Sequence, residues 1–329
     1  MPPTSKSTAS SSLVAVTRAV PGEVDIPGAE VRIAPAEPQM TRGQLLEFVR
    51  GSAVVVSMFH DRIDAEFLDS AGPQLRGVCN FAVGVDNFDL AECRRRSIAV
   101  TNTPDAVTEG TANIAFALML AAARRVGEGD RFVRAGKFER QGNIFPTGWL
   151  GVHTTGQTLL IIGAGRIGRA VALRALGFGM RVMYVARTAH PDFEQAPIAA
   201  ERIELDEGLR RADFVSIHTP LTPETRHLID ARRLGLMKPT AVLVNTARGP
   251  VVDEKALASA LRAGVIFGAG LDVFEFEPRV LPELLECDNA VFTPHIGSGE
   301  RKYRELMTAM VYANARAILA GERPPNLVA

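Results

Sequence analysis

One stretch constrains this chain more than any other: T-L-L-I-I-G-A-G-R-I-G, residues 158–168. Its first five residues form an apolar, β-prone run that ends at Gly163. Gly165 and Gly168 complete G-x-G-x-x-G, and residues 169–176 read as a helix. A strand, a glycine turn and a helix start, in that order, form the fingerprint of a dinucleotide-binding βα unit. Gly163 permits the tight turn, Gly165 lets the backbone approach a pyrophosphate, and Gly168 lets the helix pack close to the sheet. The helix N-terminus then offers free N–H groups and a positive dipole end to phosphates. The glycines alone would fit another glycine-rich βα turn; the flanking strand and helix favour dinucleotide binding.

Strand and helix signals alternate on both sides of this stretch. Before it, strands are expected at 13–17, 31–34, 53–57, 75–79 and 99–101, with helices at 42–50, 63–70 and 89–96. That pattern indicates a parallel α/β unit of about 100 residues. Thr101–Gly110 reads as a hinge, and the helix expected at 111–126 is apolar nearly all round, so it must be buried on several sides. Residues 130–151, which carry the only tryptophan, Trp149, read as a long loop. Six strands are expected from the fingerprint onward, the last ending in P-H-I-G. A final helix at 300–320 is expected to pack back on the first domain. The fold class is therefore α/β with two domains and parallel sheets. Residues 13–104 and 296–329 form a discontinuous substrate domain, 105–295 a dinucleotide-binding domain, and 1–12 a disordered, low-complexity tail.

Apolar residues make up 47% of the chain, enough for two cores, and the formal net charge is zero. The charge balance argues against nucleic-acid or membrane-surface partners. Cys79, Cys93 and Cys287 are odd in number and widely spaced, which suggests reduced thiols in a cytoplasmic protein. The longest helical apolar run, 114–123, is too short to span a bilayer.

Ligands of such sheets bind at the carboxyl ends of the strands. His218, Arg248, Asp272, Glu277 and His295 all fall just past expected strand ends. For hydride transfer to a 2-keto acid, a planar guanidinium suits the carboxylate and keto oxygen, and Arg248 is placed for that. The developing alkoxide needs a proton, usually from a histidine, and His295 is placed for that. A nearby carboxylate favours an imidazolium, and Glu277 is the candidate. Each residue alone also fits a structural role: a loop cation, a hydrogen-bonded histidine, a turn carboxylate. No G-x-S-x-G elbow or H-E-x-x-H occurs, and the six histidines show no metal-ligand spacing.

The chain after residue 12 resembles the D-isomer-specific 2-hydroxyacid dehydrogenases. The matching motifs are N-F-A-V-G-V-D-N, T-N-T-P, G-A-G-R-I-G, H-T-P-L-T-P-E-T, N-T-A-R-G, L-D-V-F-E-x-E-P and T-P-H-I-G-S, in that order. Within that family it looks most like the glyoxylate/hydroxypyruvate reductases. The resemblance implies two Rossmann-like or flavodoxin-like domains that close over a nicotinamide cofactor. It implies Arg248 as the substrate-binding and polarising residue, Glu277 as partner of the histidine, and His295 as proton donor. Backbone N–H groups of Val83 and Gly84 would hold the substrate carboxylate. Cofactor contacts would come from Thr108, from Gly163, Gly165, Arg166, Ile167 and Gly168, and from Ala186, Arg187 and Thr188. Others would come from His218, Thr219 and Pro220, from Thr246 and Ala247, and from Asp272 and Gly297. A homodimer joined through the helix near Thr111 is also implied. Relatives often carry two tryptophans before the fingerprint, where this chain has Phe138 and then Gln141-Gly142-Asn143.

An acidic residue about 20 positions after the fingerprint normally binds the ribose hydroxyls of NAD. Here the strand ends Y-V-A-R-T, without a carboxylate, and Arg187 and Thr188 suit a 2′-phosphate. NADP is therefore expected over NAD. The expected reaction is reduction of glyoxylate or hydroxypyruvate to the D-2-hydroxy acid. Other substrates of the same fold (3-phosphoglycerate, a bulkier 2-keto acid, phosphite) and a cofactor-sensing corepressor scaffold are the alternatives.

Overall fold

The computed structural model describes residues 12–23 and 25–329. The expected tail lies outside them except for Ser12, which opens the first strand. The chain divides into two compact units, one of Met1–Val107 with Ser298–Ala329 and the other of Thr108–Gly297.

The first unit is built on five parallel strands: β1 Ser12–Val16, β2 Ala29–Ile33, β3 Ser52–Ser57, β4 Gly77–Asn80 and β5 Ala99–Thr101, in the order β2-β1-β3-β4-β5. Side chains of a strand alternate between faces, so each strand supplies two cores. Ala15, Val55, Val78 and Val100 pack with Leu45, Phe67 and Cys93 of the helices that follow β2, β3 and β4. Val14, Val16, Val54 and Val56 pack instead with Val311, Tyr312 and Ile318. These belong to the helix Arg301–Ala320, which lies on β3, β4 and β5 as expected. The connecting helices start where a side chain can take up their free N–H groups. Thr41 forms a capping box with Gln44, while Asp64 and Asp89 accept from Phe67 and Glu92. Beyond the last helix, the N–H of Val328 donates to the carbonyl of Val100, and Val100 donates to Ala329. The free edge of β5 is thereby covered, which removes an exposed strand edge.

The second unit has seven parallel strands: β6 Thr158–Ile162, β7 Arg181–Val185, β8 Glu201–Arg202, β9 Phe214–Ile217, β10 Val242–Asn245, β11 Gly268–Leu271 and β12 Ala290–Phe292. Their order is β12-β11-β10-β9-β6-β7-β8. The chain moves outward from β6 to β8, then returns to β9 on the other side of β6 and moves outward again. The switch point, where such sheets leave a crevice, lies between β6 and β9. Six strands were expected here; β8 is the seventh. It is two residues long at the sheet edge, too short to give a period-two signal.

Two further expectations need correction. Residues 130–151 are not simply a loop: the helix Val126–Arg134 runs into them and Lys137–Gln141 is a short helix within them. Glycines at 127, 129 and 136 mask the helical pattern, since glycine disfavours a helix interior. The apolar helix spans Thr108–Ala123, three residues earlier than expected. It stops because Arg125 adopts a left-handed conformation, φ 56°, that a helix cannot continue through.

That helix is buried on several sides within its own unit, lying against β10, β11 and β12 and against the helix Arg166–Leu176. Its close seat on β11 depends on glycine. A Cβ at Gly270 would sit 2.7 Å from Cβ of Leu118 and 3.1 Å from the Leu118 backbone. Gly270→Ala should therefore destabilise the second unit by about 1–3 kcal/mol, the usual penalty of overpacking. A urea unfolding midpoint equal to that of the parent would contradict this.

Candidate active site

The sheet of the second unit positions the functional side chains, and β6 positions the glycine turn. Gly163 has φ +105°, which side-chain-bearing residues rarely adopt. A Cβ there would lie 2.6 Å from the carbonyl oxygen of His218, so β6 and β9 meet closely at the switch point. A Cβ on Gly168 would lie 2.3 Å from the carbonyl oxygen of Gly163, so the helix Arg166–Leu176 starts directly on the strand end. Gly165 is the N-cap of that helix, has no side-chain cap, and has open space where its Cβ would be. The turn is thus a cradle of backbone with room above it, and it fits a dinucleotide pyrophosphate.

At the end of β7, Ala186 is half-buried and Arg187 and Thr188 are exposed. The Arg202 guanidinium donates to the carbonyls of Ala186 (3.0 Å) and Arg187 (2.9 Å), which fixes this turn from below. Tyr184 Oη, at the buried end of the strand, donates to Glu194 (2.6 Å) and accepts the N–H of His190 (2.9 Å). At the end of β9, His218 Nε2 is 2.8 Å from Ser216 Oγ, and burial pushes the imidazole down to about 3. The shift disfavours the charged imidazole at this position. Thr219 and Pro220 follow it at the strand's mouth.

After β10, Asn245 shapes the T-A-R turn. Its Oδ1 accepts the N–H of Ala247 (3.0 Å) and its Nδ2 donates to the carbonyl of Arg248 (2.9 Å). Arg248 is presented in extended conformation before the short turn Gly249–Val251. Thr246 is buried beside it. After β11, Asp272 is buried and spends both carboxylate oxygens on the loop after β12. Oδ1 accepts from Thr293 Oγ1 (2.6 Å) and Ile296 N (2.8 Å), and Oδ2 from Gly297 N (2.8 Å). Burial pushes its carboxyl up despite these hydrogen bonds. Gly297 is tight as well: a Cβ there would meet Thr111 Oγ1 at 3.0 Å. Thr108 opens the helix Thr108–Ala123.

The loop that Asp272 anchors carries His295, which has φ +53° and donates its own N–H to the Asp272 carbonyl (2.8 Å). His295 Nδ1 lies 2.9 Å from Glu277 Oε2, while Glu277 Oε1 accepts the N–H of Phe274 (2.9 Å). The two side chains are 24% and 28% exposed, so the pair is partly open to solvent. Burial raises the Glu277 carboxyl, but the hydrogen bond and charge of His295, the Phe274 N–H and the Arg248 cation outweigh it, and the net shift is downward. Arg248, Glu277 and His295, expected on separate strand ends, thus lie within one electrostatic neighbourhood.

Val83 and Gly84 belong to the first unit, in the loop after β4. The carbonyl of Ala82 accepts the N–H of Thr103 (3.0 Å), and the carbonyl of Val83 accepts Asn102 Nδ2 (2.8 Å). In a trans peptide the N–H points opposite to the C=O, so the amides of Val83 and Gly84 both face away from the 102–103 segment. Asn80 Nδ2 holds the Gly84 carbonyl (2.7 Å). Asn80, Asn102 and Asn245 were not singled out from the sequence. The signal available was an asparagine at or just after a strand end, beside a glycine turn.

A parallel sheet with a phosphate cradle at its switch point, and an imidazole–carboxylate pair at the same edge, belongs to the nicotinamide-dependent oxidoreductases. Residues 116–297 match the family model described as "D-isomer specific 2-hydroxyacid dehydrogenase, NAD binding domain". The chain belongs to the D-isomer specific 2-hydroxyacid dehydrogenase family. It is 50% identical over 300 residues to a glyoxylate reductase of Pyrococcus furiosus, covering 91% of this chain and 89% of that one. The crystal structure of the TT0316 protein from Thermus thermophilus is 45% identical, with TM-score 0.88 over 96% of this chain and 100% of that one. An NADPH-dependent glyoxylate/hydroxypyruvate reductase from Sinorhizobium meliloti, in complex with NADP and malonate, is 30% identical with TM-score 0.82, covering 97% of each chain. The protein is a nicotinamide-dependent oxidoreductase of small keto or hydroxy acids. Among the described residues no helix is long and apolar enough to cross a membrane.

The lowered Glu277 carboxyl has a consequence for stability. Its folded value lies below the ordinary unfolded value of about 4.3, so its contribution is present above that pH and is lost as pH falls through the folded value. Between pH about 5 and pH about 3 the parent should lose stability more steeply than Glu277→Gln. Parallel unfolding free-energy curves for the two proteins across that window would show the idea to be wrong.

Proposed function

We propose that the protein reduces glyoxylate or hydroxypyruvate to the D-2-hydroxy acid, with NADPH as the preferred reductant. The observation that carries this is the 2.9 Å pair of His295 Nδ1 and Glu277, with the Arg248 cation acting on the same carboxylate. With Nδ1–H held by Glu277, the ring is fixed in one orientation and Nε2 is left to carry the transferable proton. Arg248 binds the substrate carboxylate and polarises the keto group; a guanidinium matches a carboxylate in two parallel hydrogen bonds. In the first unit, the amides of Val83 and Gly84 are assigned as donors to a substrate carboxylate. The reduced nicotinamide, when bound, supplies the hydride that adds to the keto carbon. His295 Nε2 gives its proton to the oxygen as the C=O bond becomes C–O–H. The imidazole is left neutral, with Nδ1–H still on Glu277.

Cofactor contacts are assigned to Thr108, to the turn from Gly163 to Gly168, and to Ala186, Arg187 and Thr188. Further contacts come from His218, Thr219, Pro220, Thr246, Ala247, Asp272 and Gly297. The 2′-phosphate of NADP is assigned to Arg187 and Thr188, since no carboxylate stands at the end of β7. A homodimer is proposed through the helix Thr108–Ala123 and the segment after it. That segment exposes Val126, Val133, Phe138, Phe145 and Leu150, with Phe145 77% exposed, more apolar surface than scattered single residues explain. Three free, buried cysteines support a cytoplasmic setting.

A panel of 2-keto acids assayed with NADPH and with NADH tests the reading. Glyoxylate or hydroxypyruvate should be the best substrate, with NADPH the better reductant; a strong NADH preference would remove the Arg187–Thr188 assignment. His295→Ala should lower kcat by roughly 10²–10⁴-fold, the usual worth of a positioned general acid. Turnover close to that of the parent would reject His295 as proton donor.

A further inference from the structure

Behind the Arg248 turn lies a buried acid that none of the roles above uses. Glu254 opens the helix Glu254–Arg262 and is only 2% exposed. Its Oε1 accepts the N–H of Glu275 at 2.5 Å, and its Oε2 is buried with no hydrogen-bond partner among the described residues. Burial raises its carboxyl, and the neighbouring carboxylates of Glu275 and Glu277 add to that against the hydrogen bond from Glu275 N–H. An apolar side chain would fill such a place at lower cost, so the acid needs a reason.

The source of that N–H supplies it. Phe274 and Glu275 are successive residues whose amides go to two different carboxyls. Phe274 donates to Glu277 (2.9 Å), within the same loop, and Glu275 donates to Glu254, at the start of the helix that follows the loop after β10. The two loops also touch backbone to backbone, because a Cβ at Gly249 would lie 1.9 Å from the carbonyl carbon of Phe274. From the third side, the Glu275 carboxylate meets His227 Nε2 (2.8 Å) and an Arg226 guanidinium nitrogen (3.1 Å), both in the loop after β9. Three successive loops are therefore fastened together directly behind Arg248 and Glu277, with the buried Glu254 carboxyl at the joint.

We infer that Glu254 is a positioning residue whose carboxyl fixes the loop bearing Glu277 against the turn bearing Arg248. It thereby sets the His295–Glu277 pair relative to the guanidinium. This rests on the roles proposed above for those three residues. The phosphate cradle at β6 is built from other residues, so loss of Glu254 should act more on the chemical step than on nucleotide affinity.

The test compares Glu254→Ala, Glu254→Asp and Glu254→Gln with the parent in the full chain. Gln keeps an acceptor at nearly the same point, Asp draws it back by one methylene, and Ala removes it. Misplacing a catalytic group by about 1 Å costs up to roughly 100-fold, so Ala and Asp should lower kcat by roughly 10- to 100-fold, with a much smaller change in nucleotide Kd. Gln should stay within roughly threefold of the parent, since it keeps the contact. In ¹⁵N-histidine-labelled protein, the His295 ring resonances should move in the Ala and Asp variants and stay in place in Gln. If the Ala variant does not fold, Asp carries the comparison. Parent-like kcat and ring resonances in Ala or Asp would overturn the inference, as would equal losses in Ala and Gln. A parent enzyme inert toward every 2-keto acid would instead reject the functional reading, and the ring resonances would then decide the role of Glu254 alone.

Discussion

Backbone meets backbone at the working edge of the second unit, and this is possible only where no Cβ intervenes. Gly163 lies against the His218 carbonyl, Gly168 against Gly163, and Gly249 against Phe274. Each approach is closer than any side chain would allow. Together they bring the ends of β6, β9, β10 and β11 near enough for short side chains to link them. The helix dipole at Gly165 and the cation–acid–imidazole group after β10 to β12 both depend on this spacing. With wider loops, the same polar residues would be separated by water and would lose most of their mutual field.

Around these approaches the polar groups are mostly held by hydrogen bonds rather than by ion pairs alone. Asp272 pins the loop of His295 through three donors, Asn245 wraps the turn of Arg248, and Arg202 holds the carbonyls that precede Thr188. Residues that touch ligand can then be few, because their orientation is settled by neighbours that do not. His218 has a different setting from His295. It too lies just past a strand end, yet its imidazole is pushed down and meets Ser216 rather than a carboxylate.

Much of this was legible in the sequence, for identifiable reasons. The glycine turn was legible because its three roles require glycine at fixed spacing after a strand. The five polar residues at strand ends were legible because an apolar run that stops at a charged residue marks both a boundary and a crevice. The meeting of Glu277 with His295 followed from two such ends on adjacent strands. What was hidden depends on contacts between segments distant in the chain. Asn102 holds the Val83 carbonyl across 19 residues of chain, and nothing local in either segment announces it. The helix Val126–Arg134 was hidden by its glycines, and β8 by its length. Asp272 could be placed at a strand end, but its use as an anchor for residues 293–297 needs the fold.

The first unit is interrupted, and this bears on how the chain is made. A ribosome delivers Thr108–Gly297 as one uninterrupted piece, so that unit has all seven of its strands before the helix Arg301–Ala320 is made. The earlier-made sheet must wait. Val14, Val16, Val54 and Val56 find their covering helix only when residues 301–320 emerge. Until then, one face of that sheet is an oily surface on a nascent chain, the kind that invites misassociation. The helix Arg301–Ala320 is therefore also the segment that takes this apolar face out of water.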